Sequence, residues 1–155
     1  MGVCTSIYRE RCCDKDEYSI KLFKGNKEIE LDNPESIREE FYFGKNIFQI
    51  NDWIYRRIAK NCGGAQDNWS YEYVEGRIFF DDLEDLVSDI EEVQKNHNLA
   101  KKLLPYPAGV YDKDTDLYDK DYFEDLERAK NILEQLIRED SKIEASSIEY
   151  YVDIG

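Results

Sequence analysis

The chain has 155 residues, of which 41% are hydrophobic and 14% aromatic, and its formal net charge is -14. This length predicts a single domain, residues 1–155, that buries roughly two-thirds of the surface its unfolded chain exposes. A strongly negative surface repels nucleic acid phosphates and anionic membranes, and it attracts basic protein surfaces. We therefore expect no direct nucleic acid partner. No window of about eighteen apolar residues and no apolar export segment are present, so we also expect no membrane partner and a cytoplasmic location.

The first third of the chain predicts strands and one short helix. Val3 to Glu10 and Tyr18 to Phe23 carry β-branched and aromatic residues in loose alternation, which indicates strands. Lys24-Gly25-Asn26 is a turn signal that leads into a strand at Glu28 to Leu31. Asn33-Pro34 predicts the start of a short helix, because Asn caps helices and Pro suits their first turn.

The middle of the chain contains a clear helical pattern. Apolar residues at helical spacing, with Trp53 beside them, predict a helix from Asn46 to Asn61 that buries Ile47, Ile50, Ile54 and Ile58. Cys62-Gly63-Gly64 is expected to end it. Trp69 to Val74 is a further aromatic strand candidate.

The remaining pattern is mostly helical. It predicts helices at Asp81 to Lys95 and Lys120 to Glu139, a helical turn at Leu99 to Leu104, and a closing strand at Ser147 to Val152. Strands at both ends with helices between them indicate an α+β fold. We expect about three main helices packed on a small antiparallel sheet.

A run of aspartates interleaved with tyrosines precedes the last helix. Asp112, Asp114 and Asp116 resemble the opening of a calcium loop, in which alternating oxygens surround the ion. Leu117 stands where that loop needs Gly, and Phe123 stands where it needs Glu. We therefore expect an acidic loop that leads into the helix, with weak cation binding as the alternative.

Catalytic and cofactor motifs are absent from the sequence. The four cysteines form no CxxC pair and the only histidine is His97, so we expect no structural zinc. Pairs such as Asp119 and Asp121 arise by chance among 35 acidic residues. His97 is predicted to be exposed at a helix end, and Gly63-Gly64 lacks the GK[ST] of a phosphate loop. We predict no catalytic residue, no metal and no cofactor, which favours a non-enzymatic protein.

The tyrosines and carboxylates around this run instead predict an interaction surface. Tyrosines are enriched at protein interfaces because they combine a large area with one polar group. For Tyr111 and Tyr118 core packing is an equal alternative, whereas Trp53 is expected in the core. The predicted surface consists of Tyr106, Tyr111, Asp112, Asp114, Asp116, Tyr118, Asp119, Asp121, Tyr122, Glu124 and Asp125.

Four segments carry a resemblance to a known family. They are MGVCTSIY, EFYFGKNIFQINDWI, LLPYPAGVYDKDTDLYDKDYFEDL and SIEYYV, in this order along the chain. With them the chain resembles a family of small acidic proteins from bacteriophages and bacterial genomes that has no established activity. Members sometimes carry the label phosphoglycerate kinase, but this chain lacks the length and the phosphate cradle of that enzyme. The resemblance also leads us to expect a histidine where Asn51 stands, which favours a structural role for the position.

The resemblance and the composition together give three hypotheses. The first is a phage or mobile-element protein that binds a basic surface of a host protein in the host cytosol, such as a defence or nucleic-acid-handling factor. The second is a protein that binds a nucleotide or another small molecule in a pocket near the turn from Pro105 to Tyr111. The third is a structural or assembly protein. The oligomeric state stays open.

Overall fold

A computed structural model describes residues 2–12, 19–24, 27–32, 36–63, 70, 73–110, 118–143 and 148–155, without the side chains between 11 and 37. The fold is α+β, as the sequence predicts. Its strands are β1 Cys4–Cys12, β2 Ser19–Lys24, β3 Lys27–Asp32, β4 Ser36–Lys45, β5 Val74–Ile78 and β6 Ile148–Ile154. Its helices are α1 Phe48–Asn61, α2 Phe80–Lys95, α3 Ala100–Leu103 and α4 Lys120–Asp140, with a 3-10 turn at His97–Leu99 before α3.

The two ends of the chain form the centre of the main sheet. This sheet has the strand order β4-β1-β6-β5, and every neighbouring pair in it is antiparallel. Thr5 lies opposite Ile154 and Arg11 lies opposite Ile148, so β1 and β6 pair along most of their length. The strand order confirms the predicted antiparallel sheet with strands from both chain ends.

Strands β2 and β3 form a separate two-stranded ribbon between β1 and β4. Ser19 pairs with Asp32 and Lys24 pairs with Lys27, which confirms the predicted hairpin. The turn residues Gly25 and Asn26 lie outside the described residues.

The helix predicted to open at Asn33-Pro34 is wrong. Residues 33–35 lie outside the described residues, and from Ser36 onward the chain forms β4 rather than a helix. The reason is the period of the pattern: Tyr42 is exposed and Phe43 is buried, an alternation of two along the strand. Pairing with β1 from Cys4 to Cys12 then overrides the local capping signal.

Apart from the strand predicted at Trp69 to Val74, the other predicted elements are confirmed within a few residues. Helix α1 buries its isoleucine stripe together with Trp53, and it ends at Cys62 with Gly63 at a φ of 83°. The residue with positive φ suits glycine, which has no Cβ to clash there. Of the strand predicted at Trp69 to Val74, residues 69, 71 and 72 lie outside the described ones, and β5 begins where that prediction ends.

The helices pack on one face of the sheet around a single group of buried residues. Buried residues of α1, α2 and α4 pack against inward-facing residues of β1, β5 and β6, among them Ile7, Val74, Tyr150 and Val152. Among the described residues, no helix combines the length and the apolar character that a bilayer span needs.

Candidate functional site

The N-terminus of α4 is fixed by Asp119, one of the predicted surface residues. Its side chain accepts hydrogen bonds from the backbone N–H groups of Asp121 at 3.1 Å and Tyr122 at 3.3 Å. Asp119 is therefore the N-cap of α4, and the carboxylate also suits the positive end of the helix dipole. Its first role is structural.

Three of the predicted surface tyrosines form a packed cluster instead of an open array. The rings of Tyr106, Tyr118 and Tyr122 lie 5.0 to 5.6 Å apart between centroids. Tyr122 is fully buried and donates a hydrogen bond to the Leu104 carbonyl at 2.8 Å, while the Tyr118 hydroxyl accepts one from the Tyr106 N–H at 3.3 Å. The prediction that Tyr122 lies on the interaction surface is therefore wrong, because its ring is buried where α4 packs against the turn.

The same cluster packs against the turn near which a ligand pocket was predicted. The rings of Tyr118 and Tyr122 contact Tyr106 in the turn, and the Tyr122 hydroxyl donates to the Leu104 carbonyl just before it. Trp53 does not reach this place: it is buried against α2, where its indole N–H donates to Asp89 at 2.8 Å. Trp53 is thus a core residue, as the sequence predicts.

Four of the predicted surface residues cannot be placed. Tyr111, Asp112, Asp114 and Asp116 lie outside the described residues, and so does Leu117. Within the ranges that are described, no group of three or more His, Cys, Asp or Glu side chains is placed to hold a metal ion. The aspartate run itself stays a prediction.

The remaining carboxylates lie on the first turns of α4 and differ in exposure. Asp121 and Glu124 are exposed, and Glu124 forms an ion pair with Lys120 at 3.2 Å. Asp125 is half-buried and lies 3.3 Å from Arg128. Burial raises the pKa of the Asp125 carboxyl, and the Arg128 guanidinium opposes this shift. Asp121 and Glu124 are therefore the two carboxylates here that can meet a partner.

Helices α2 and α4 lie side by side, so their acidic faces adjoin. Gln94 donates to Glu127 at 2.6 Å, and Lys130 lies 3.7 Å from Glu91. Both contacts join the second half of α2 to the first half of α4, which makes the helices antiparallel neighbours. We call their joint solvent side the helix face; its exposed carboxylates are Asp81, Glu84, Asp85, Glu92, Asp121, Glu124 and Glu127.

A shallow groove interrupts the helix face at one end. Its floor is an aromatic pair, because the exposed His97 ring stacks on Phe123 with centroids 3.9 Å apart. The position of His97 just past the end of α2 agrees with its predicted exposure. We call this site the His97 groove; it is lined by Gln94, His97, Lys120, Phe123, Glu124 and Glu127.

Another carboxylate of α2, Asp82, serves the fold. Asp82 accepts hydrogen bonds from the Phe79 N–H at 2.8 Å and from Asn61 at 2.9 Å, and it pairs with Arg57 at 2.9 Å. Arg57 also lies over the Trp53 ring at 4.5 Å. This network joins α1 to the start of α2, so Asp82 is buried and unavailable to a partner.

Two polar side chains of α1 are buried, and the sequence analysis treated only one of them. Asn51 is fully buried and accepts a hydrogen bond from Thr5 at 2.6 Å, which ties α1 to β1. This contact agrees with the structural role expected for the position. Gln49 is equally buried, and its side-chain nitrogen and oxygen have no hydrogen-bond partner within the described residues.

A buried ion network at the far end of α4 was missed by the sequence analysis. Arg9 on β1 is 2% exposed and reaches Glu39 at 2.9 Å, Glu139 at 2.6 Å and Asp140 at 3.0 Å. The other oxygen of Asp140 accepts from the Tyr150 hydroxyl at 2.7 Å. Arg9 follows the buried Ile7 by two residues on β1, so the alternation of the strand places both side chains on its inward side.

Next to this network lies a cavity of about 350 Å³. It lies between the start of α2 and the end of α4, at the opposite end of the helix pair from the His97 groove. Its walls are mixed in polarity, with Phe79, Phe80, Ile143 and Ile148 beside Arg77, Asp81, Asp140 and Tyr150. The size is that of a small-ligand pocket.

No family model, no curated protein and no solved structure matches the chain.

Proposed function

We propose that this chain is a non-enzymatic protein that binds a basic protein surface through its helix face. The observation that carries the proposal is the side-by-side packing of α2 and α4, which places exposed carboxylates of both helices on one face, with Glu124 and Glu127 at the His97 groove. Neither helix alone would present such a field. The resemblance to small acidic phage proteins makes a host protein the expected partner, for example a defence or nucleic-acid-handling factor.

The charge of the helix face determines the kind of partner. Helix α2 carries seven acidic residues and one basic residue, Lys95. Such a surface raises the association rate of a basic partner and rejects acidic ones. Surface carboxylates add little affinity by themselves, because exposed ion pairs contribute only about 0–1 kcal/mol each.

The His97 groove supplies the anchoring area that charges lack. Binding energy concentrates in a few desolvated aromatic or arginine contacts near the centre of an interface. The stacked rings of His97 and Phe123 form an apolar floor, with Glu124 and Glu127 at its side. An arginine fits this combination, because its planar guanidinium stacks on rings and pairs with carboxylates. We therefore expect the partner to insert an arginine, flanked by further basic residues.

Affinity capture with matched baits tests the proposal. The wild-type chain, a groove variant with Glu124→Gln and Glu127→Gln, and a control with Glu10→Gln and Asp153→Asn are each immobilised and exposed to bacterial lysate. Both variants remove the same charge, but Glu10 and Asp153 lie on the sheet. We expect a basic protein on the wild-type and control baits, lost from the groove variant and released steeply by salt. Capture that is equal on all baits, or unaffected by salt, would contradict the proposal.

A second candidate function is small-molecule binding, and the cavity beside Asp140 favours it. Its mixed lining combines apolar rings with the Arg77 guanidinium and the Asp140 carboxylate. A ligand that binds only the folded state raises the melting temperature, and the rise grows with the logarithm of the ligand concentration once this exceeds Kd. A nucleotide and metabolite panel should therefore stabilise the wild type and leave a Phe80→Ala variant unaffected. A panel without any stabilising compound would remove this candidate.

A further inference from the structure

The two edges of the main sheet differ in regularity. Strand β4 forms one edge, and its register with β1 shifts between Thr5 and Ser6, which marks a β-bulge. Bulges protect a sheet edge because they twist it away from further pairing. Strand β5 forms the other edge, and among the described strands it pairs only with β6. From Val74 to Ile78 its register runs without a shift, so β5 presents a regular edge.

Exposed aromatic residues stand at both ends of β5. Tyr73 immediately before the strand is 58% exposed, and Phe79 immediately after it is 48% exposed. They are two of the four large hydrophobic residues that are exposed in the described structure. Exposed apolar groups beside an open strand edge are a common mark of an interaction site.

The sequence of β5 is complementary to itself when two copies run antiparallel. With Gly76 opposite Gly76 of the second copy, Glu75 lies opposite Arg77 of the other copy, and the reverse pair follows by symmetry. Val74 then faces Ile78, and Tyr73 faces Phe79. A two-fold interface requires self-complementarity of this kind, and opposite charges in cross-strand positions stabilise a sheet.

The faces of the two sheets also match in this arrangement. Val74 and Ile78 are buried on the side of the helices, whereas Glu75 and Arg77 are exposed on the other side. Each opposing pair joins residues of the same face, so the helices of both copies would lie on one side. Arg77 contacts Glu149 at 3.3 Å and is 46% exposed, which leaves donors of its guanidinium for a second carboxylate.

We propose that two copies of this chain associate through antiparallel pairing of β5, with the two-fold axis at Gly76. The pairing joins both sheets into one and covers the aromatic residues at the strand ends. Because the contact uses one short strand, we expect a dimer at the weak end of specific interfaces. This interface uses none of the residues of the helix face and stands independently of the function proposed above.

Charge exchange across the axis tests this dimer. Sedimentation equilibrium of the full chain is measured up to about 0.5 mM, a concentration that populates weak complexes. Arg77→Glu or Glu75→Arg alone places like charges opposite each other twice per dimer, so each should weaken dimerisation at least about tenfold. The double variant restores both attractive pairs and should dimerise like the wild type. An equimolar mixture of the two single variants should also dimerise, as a heterodimer.

Two controls separate this interface from general charge effects. Arg38→Glu on β4 changes the net charge as much as Arg77→Glu does, and it should leave dimerisation unchanged. The double variant keeps the wild-type net charge. Circular dichroism checks that each variant is folded.

Hydrogen exchange of the wild type gives a reading that needs no variant. Amides of β5 should gain protection as the concentration rises from about 10 µM to about 0.5 mM, while those of β4 should not. A monomeric wild type at the highest concentration overturns the proposal. Single variants that dimerise like the wild type, or a folded double variant that stays monomeric, overturn it as well.

Discussion

At the scale of single residues, Arg9 stands out because its side chain pairs with three carboxylates. Its guanidinium is 3% exposed and holds Asp140, which is fully buried, together with Glu39 and Glu139. Removing one partner of a buried ion pair leaves an uncompensated charge and costs about 3–5 kcal/mol. We therefore expect Arg9→Ala to lower the free energy of unfolding by about this amount, measured by urea denaturation.

Arg9→Lys serves as the matched control. Lysine keeps the charge but loses the two-pronged contact with both Glu39 oxygens, at 2.9 and 3.0 Å. It should therefore fall between the wild type and Arg9→Ala. If Arg9→Ala unfolds within about 1 kcal/mol of the wild type, the network contributes little, as an exposed pair would.

Tyr122 predicts a pH dependence of stability. Burial raises the pKa of its hydroxyl above the ordinary value, and the neighbouring Tyr118 and Tyr106 add to the shift. Because the pKa is raised in the folded state, the unfolded chain releases this proton first. The stabilisation is therefore complete below about pH 10 and decreases above it, by at most about 1.4 kcal/mol per pH unit.

Tyr122→Phe isolates this effect. Near neutral pH the variant loses the hydrogen bond to the Leu104 carbonyl and should be less stable by about 1–2 kcal/mol. Between about pH 10 and 11 only the wild type has this tyrosine to ionise, so the difference in stability between the wild type and Tyr122→Phe should narrow. Melting curves of both proteins from neutral to alkaline pH measure it. A constant difference would mean that the Tyr122 hydroxyl titrates normally.

At the scale of elements, the start of α4 depends on the cap that Asp119 provides. Asp119→Ala removes the acceptor for two N–H groups and should cost about 1 kcal/mol in the free energy of unfolding. Asp119→Ser retains a capping oxygen, so it should lower the free energy of unfolding by only a few tenths of that amount. A bait made of the Asp119→Ser variant should capture the same basic partner as the wild-type bait. Equal losses of stability in both variants would show that the carboxylate, and not the cap, matters.

The amphipathic helices were predictable from their local periodicity, whereas β4 was not, because its pairing with β1 overrides the local pattern. The stripe of Ile50, Ile54 and Ile58 determines α1 because burial every third or fourth residue needs no information from elsewhere. Strand β4 was missed because the capping signal at Asn33-Pro34 is local, whereas its pairing with β1 joins residues as distant in sequence as Cys4 and Lys45. The candidate site was predictable only in part for the same reason, because it also depends on contacts between residues that are distant in sequence.

The helix face was predictable only in part. Asp121 and Glu124 were identified from their own helix, but their neighbours on α2 join them only through the packing of the two helices. The sequence predicted a surface position for Tyr122 because its local pattern does not show that a turn covers this side chain. The turn is held over it by the hydrogen bond from the Tyr122 hydroxyl to the Leu104 carbonyl. Arg9 gave no signal, since a charged residue on a strand is normally exposed.

At the scale of the whole molecule, the net charge of -14 opposes folding by self-repulsion. The ion pairs of α2 in the described structure involve Asp82, Asp85 and Glu91, and Glu84 is exposed three residues after Asp81. Like charges at this spacing destabilise a helix by about 0.2–0.5 kcal/mol. Glu84→Gln should therefore raise the free energy of unfolding by about that amount at low salt, measured by urea denaturation.

Salt and a matched variant decide whether repulsion is the cause. At 0.5 M NaCl the gain of Glu84→Gln should shrink, because screening already weakens the repulsion between exposed charges. Glu134→Gln removes the same charge but loses a contact with Lys130 at 3.8 Å, so it should bring no gain. If both variants stabilise equally, the effect is the net charge alone. If only Glu84→Gln does, α2 carries carboxylates that cost stability in the free chain, as expected of a surface that meets its opposite charge on a partner.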